Sequence, residues 1–147
     1  MRTHSVKWRH NHQRLLLPVA IFPGLNSNNP FESLRYEGLI DTGATGTGIR
    51  ADVAAQLALR QKGQRRVATA NGLIYAAEYI IRIGFMPGDL TDPATSADAQ
   101  HPYVLEGQLI AFELHAGFSY PVLIGMDVIA AGDLTVSRDG RAEFVLP

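Results

Sequence analysis

The sequence contains no cysteine and one tryptophan. Without cysteine there is no disulfide framework and no thiolate metal site. That absence suits a reducing compartment, and a cytoplasmic location is the expectation. No apolar run approaches the roughly 18 residues that span a bilayer. Neither sign of charge dominates: the net charge is −1 over 147 residues, so no global field draws the chain to nucleic acid or acidic membranes. Trp8 lies among basic residues, but one aromatic does not make a base-stacking platform. No zinc motif such as HExxH occurs, and His101 and His115 have no partners at ligand spacing. Neither a metal nor a cofactor is expected.

What is present is ordinary globular material. Hydrophobic residues make up 46% and charged residues 18%, enough for one domain with a usable core. The first fourteen residues, "MRTHSVKWRHNHQR", hold four Lys/Arg and no acid, and "LLLPVAIF" follows. The pair imitates the basic and apolar regions of a secretion signal. Pro18 interrupts it, however, and "PGLNSNNP" offers no small-x-small cleavage pattern. Residues 1–14 are therefore expected to be a flexible basic arm, and residues 15–147 a single domain. The literal string "HNH" in that arm lacks the strands, helix and spaced ligands of the nuclease fold of that name.

β-Branched and aromatic runs dominate the remainder, cut by Gly, Pro and Asn-Gly. Strands are expected at Leu15 to Phe22, Ser33 to Ile40, Thr47 to Arg50, Tyr103 to His115 and Pro121 to Ile124. Ala51 to Leu59 and Met126 to Ala131 are expected as short helices. Arg66 to Phe85 reads as a long β-hairpin around "ANGL", since Asn-Gly tolerates the positive φ of a tight turn. A turn centred on Asn71-Gly72 would set Ala70 opposite Leu73. The polar, Pro-bearing stretch from Pro87 to Pro102 reads as an excursion between strands. "DLTVSRDGRAEFVLP" closes the chain as a hairpin. The total is mostly β with one or two short helices.

The segment "EGLIDTGATGTGIRADVAAQLAL" carries the chemistry, and two readings compete for it. The first is a phosphate loop. Gly43 and Gly48 have the G-x-x-x-x-G spacing, but Ile49 and Arg50 stand where Lys and Ser/Thr are needed. "GTGIRA" also fits a dinucleotide turn, but the next strand ends in "ATAN" without an acid for the ribose, and hairpins follow instead of alternating helices. The second reading is a held carboxylate. An Asp directly after a buried strand is costly unless its charge is managed. Backbone N–H groups of a Thr42-Gly43 turn can donate to it, and Gly43 lets the chain turn. Two such acids face to face share one proton. The neutral one can protonate a peptide carbonyl while the charged one accepts a proton from water. A plain turn acid is the structural alternative for Asp41.

"LIDTGATGTGI" resembles the active-site signature of the retroviral-like (retropepsin-type) aspartic proteases. "YPVLIGMDVIA" resembles their second signature, and the order of strand, turn, short helix, hairpin and Ile-Gly helix is similar over roughly Leu15 to Pro147. The resemblance implies a closed-barrel-like retropepsin (acid protease) fold with a flap hairpin. It implies that Asp41 is catalytic and that Thr42 and Gly43 support the loop. It implies that Ala44 and a flap tip at Ala70, Asn71 and Gly72 meet substrate. It implies that Gly125 lets the second signature pass behind the catalytic loop. No second Asp-Thr/Ser-Gly occurs, so the partner acid would be Asp41 of a second copy in a homodimer. The terminal strand "AEFVLP" would contribute to that interface. Retroviral members usually carry Arg after the second-signature glycine. Met126 and Asp127 stand here, as in some cellular and bacterial relatives. The implied activity is aspartic endopeptidase on a polypeptide substrate, with no nucleic acid or membrane partner. The alternative is a dimeric peptide-binding or assembly module that kept the fold without efficient cleavage.

Overall fold

The structure, a computed structural model, describes residues 4–70, 72–92 and 101–147. Among these residues it is mostly strand. β2 (Leu16–Pro23), β3 (Leu34–Ile40), β10 (Val122–Ile124), β4 (Gly48–Arg50), β9 (Leu109–Leu114), β6 (Gly72–Phe85) and β5 (Gly63–Thr69) lie side by side in that order. β8 (Tyr103–Val104) pairs with β6 to complete an eight-stranded sheet. β2 also pairs with β6, so the path from β2 to β6 closes into a ring. Helix α1 (Ala51–Gln56) follows β4, and α2 (Met126–Ile129) follows β10.

Side-chain periodicity shows why these segments are strands. β6 is exposed over its first four residues, then alternates, and is buried throughout at Ile83, Gly84 and Phe85. At about 3.3 Å per residue, its 14 residues run some 46 Å from solvent into the core. β2 is buried without alternation from Val19 onward because β3 and β6 flank it and side chains cover both faces. Pro18 has no N–H to give, and it falls where β2 is paired to β3 alone, just before the β6 pairing begins at Val19. Leu17, Ile21, Ile81, Phe85, Val122, Ile124 and Val128 form one continuous cluster. Each contributes on the order of 1.5–3 kcal/mol by leaving water.

A second, four-stranded sheet has the order β11 (Asp133–Val136), β12 (Arg141–Val145), β1 (Ser5–Arg9), β7 (Gly88–Asp89). Here the structure departs from the expected flexible arm. Val6 and Trp8 are 0% and 5% exposed, while Lys7 and Arg9 face out. The basic residues that made the segment look like an arm are the solvent face of a period-2 strand. β12 also differs from an open interface strand: β11 and β1 occupy its two edges, and Ala142 and Phe144 are buried. Phe144 meets Phe85 edge to face at 5.3 Å, joining the two sheets.

The hairpin register also differs from expectation. Thr69 pairs with Gly72, and Ala68 with Leu73, so the turn is centred one residue earlier than Asn-Gly suggests. Gly72 takes φ +110° at the first position of the returning strand instead of inside the turn. Asn71 itself lies outside the described residues, as do residues 93–100 of the polar excursion. No described helix is long and apolar enough to cross a membrane.

Candidate active site

Asp41 is the residue immediately after β3. The parallel pairing of β3 with β10 aligns Ile40 with Ile124 and so brings the Asp41 turn beside the second signature. The Asp41 N–H donates to Ile124 O at 2.9 Å, continuing the ladder to the carboxylate's own backbone. Gly43 N–H then donates to Asp41 Oδ1 at 2.8 Å, and Ala44 N–H to Asp41 O at 3.2 Å. The turn thus uses two backbone donors to hold one half-exposed acid. The other carboxylate oxygen has no donor among the described residues. Thr42 and Gly43 are exposed, and Ala44 is half-buried beside them.

Behind the turn the chain is stitched to α2. Met126 N–H donates to Ala44 O at 2.8 Å, and Asp127 N–H to Thr45 O at 3.2 Å. Thr47 is fully buried, and its hydroxyl is satisfied on both sides. It donates to Asp127 Oδ1 at 2.7 Å and accepts from Gly125 N–H at 3.2 Å. Thr47 N–H donates to Asp127 Oδ2 at 3.1 Å. Gly125 lies where its two loops nearly touch: a Cβ there would sit 2.4 Å from Gly46 O. Only glycine leaves that room.

The structure therefore gathers Asp41, Thr42, Gly43, Ala44 and Gly125 at one seam. Ala70 and Gly72 stand apart from it, at the turn of the β5–β6 hairpin. Thr47 and Asp127 were not among the candidate site residues of the sequence, yet they join the two loops. The Thr-Gly pairs after the Asp turn and the Asp after Gly-Met were the available signals, but the pairing of β10 with β3 and with β4 makes them neighbours. Arg65 of β5 forms an ion pair with Glu78 at 2.9 Å, and its guanidinium lies 5.7 Å from the centre of the Phe112 ring. A Cβ on Gly46 would lie 3.0 Å from Arg65 Nη1, so the root of the hairpin reaches the Asp41 loop through this side chain.

The titratable neighbours are placed by the same packing. Hydrogen bonding from Arg50 lowers the Asp52 carboxyl below its ordinary value, and Arg50 Nη1 also donates to Phe118 O at 3.2 Å. Tyr79 is buried in β6 and donates to Glu113 at 2.8 Å; burial first, and that hydrogen bond second, push its phenol up to about 12. Among the described residues no group of three or more His, Asp or Glu side chains is placed to hold a metal ion.

Chemically, the seam offers a rigid, accessible carboxylate with one oxygen held and one available, but only one such group. Among solved structures, a retropepsin-like aspartic protease from Rickettsia conorii matches with a TM-score of 0.64. The identity is 14%, and the match covers 99% of this chain and 92% of that one, a likeness of fold. Among curated proteins nothing matches the chain. The family model described as aspartyl protease matches residues 29–128, the span that runs from before the Asp41 turn to α2. By that match, this chain belongs to the aspartyl protease family.

Proposed function

We propose that the protein is an aspartic endopeptidase that works as a homodimer, with Asp41 of each copy forming the catalytic pair. The observation that supports this reading is the Asp41 turn itself. It fixes a carboxylate through Gly43 N–H and leaves its second oxygen without a donor. Among the described residues no second acid is offered at the seam: both oxygens of Asp127 are bonded to Thr47. A two-fold axis supplies the missing carboxylate at no cost in sequence, because an isologous contact repeats the same turn.

In that arrangement the pair holds one proton between two oxygens. Water sits between the carboxylates. The charged member takes a proton from it, the oxygen adds to the peptide carbonyl carbon, and the neutral member protonates the carbonyl oxygen. Collapse of the tetrahedral intermediate breaks the C–N bond, and the departing amine takes up a proton from the pair. Thr42 braces one turn against the other, and Ala44 lies at the edge of the cleft. The β5–β6 hairpin, with Ala70, Asn71 and Gly72 at its tip, closes over an extended peptide by strand-like hydrogen bonding.

The test is a peptide-library digest at about pH 4 to 6 with sedimentation equilibrium on the same samples. Asp41→Asn is expected to keep its fold and its dimer and to lose about a thousand-fold or more in cleavage rate. Equal turnover by the variant would sink the proposal. A dimer that cleaves nothing in the library would select the peptide-binding module instead.

A further inference from the structure

A cavity of about 430 Å³ lies at the root of the β5–β6 hairpin, and no residue of the Asp41 turn lines it. Its wall includes the segment Ala58 to Lys62, which runs directly into β5, and Ile80 of β6. Lys62 N–H donates to Glu78 O at 2.6 Å, so the wall is tied to both hairpin strands. Ala58 holds φ +51°, a left-handed conformation for a residue with a Cβ, at the end of α1. The bonds Ala58 N–H to Ala55 O and Leu59 N–H to Ala54 O close the helix there and turn the following residues toward the cavity.

The lining has a definite chemistry. Pro23, Leu59 and Ile80 are apolar. Arg60 and Lys62 are exposed cations, and neither is in an ion pair among the described residues. No carboxylate lines the cavity, while amide side chains recur along it. Gln108 Oε1 accepts from Leu25 N–H at 2.9 Å, which leaves its NH₂ as a donor. Ser27 also lines the cavity, with its hydroxyl turned away from the open space and buried.

We propose that this cavity binds the C-terminal carboxylate of a peptide whose last side chain is apolar. Two cations and amide donors meet the carboxylate with charge-assisted hydrogen bonds. The apolar floor takes the side chain. The binding claim stands on the cavity alone. Its consequence rests on the proposed function: cleaved peptides end in this group, so the cavity is a product site at the root of the hairpin.

The test is calorimetric titration of the full chain with acetyl-Ala-Ala-Leu as free acid and as C-terminal amide. Asp41→Asn protein is used, so that cleavage does not intrude. Saturable binding of the acid is expected, with the amide at least about ten-fold weaker. The double variant Arg60→Ala, Lys62→Ala changes exposed side chains only, which circular dichroism checks, and it should weaken the acid about ten-fold or more. Equal affinity for acid and amide, or full affinity in the double variant, would overturn the proposal. So would 4-methylpentanoate binding as tightly as the peptide. Loss of cleavage in wild-type protein would remove only the product role, not the binding.

Discussion

From Asp41 to Thr47 the backbone is held against β10 and α2 by a succession of hydrogen bonds, and Thr47 is fully buried. At the start of β6 the opposite holds: Leu73, Ile74 and Tyr75 are 65%, 43% and 70% exposed, successive residues pointing to alternate faces of a projecting hairpin. Both regions are short, yet one is hydrogen-bonded to β10 and α2 along its length and the other pairs with β5 alone. On the proposed reading, the acid is the part that stays fixed and the hairpin the part that moves to cover it. Apolar residues on both faces of an isolated hairpin are costly in water, so their presence there points to a surface that is covered part of the time.

The widest test of this contrast is Gly125→Ala. A methyl group 2.4 Å from Gly46 O must push the two loops apart, and a loss of about 3 kcal/mol or more in denaturant melts is expected. A loss below about 0.5 kcal/mol would show the seam to be as yielding as the hairpin. Asp127→Ala should cost about 2 kcal/mol, because the buried Thr47 hydroxyl and N–H lose their acceptor. Equilibrium unfolding monitored at Trp8 would read it. Tyr79 lies in the buried half of β6 and gives a pH test. Its phenol is pushed up to about 12, so the fold keeps a proton that the unfolded chain releases near pH 10. Its contribution is complete below about pH 10 and disappears as pH rises through about 12. Tyr79→Phe should flatten that alkaline loss in unfolding midpoints measured across the range. The smallest expected effect is at the hairpin: Leu73→Ser should change stability by no more than about 0.5 kcal/mol. A peptide-cleavage assay on the same variant should fall, which would separate covering from folding.

The parts legible in the sequence were those whose signal is local. Asp41 stood out because an acid follows an apolar strand and precedes glycine, and Gly125 because it ends one. The strands of the ring showed as runs and alternations. The turn register was misjudged by one residue because Asn-Gly supports positive φ at more than one position, and the strand pairing chose between them. Ser5–Arg9 was read as an arm because its outward residues are basic. Its inward Val6 and Trp8 become meaningful only once β12 arrives from the far end of the chain. The Thr47–Asp127 link is distant in sequence and arises because β10 lies between β3 and β4. No local pattern encodes such a contact.

The four-stranded sheet bears on how activity would be switched on. β1 lies between β12 and β7, and β12 between β11 and β1, so both strands find their neighbours within one copy. On the proposed reading, these strands are complete before two copies pair, and pairing is a separate event. On the proposed reading, cleavage in dilute solution would rise with the square of protein concentration. The enzyme would stay dormant where it is scarce and ignite where it accumulates.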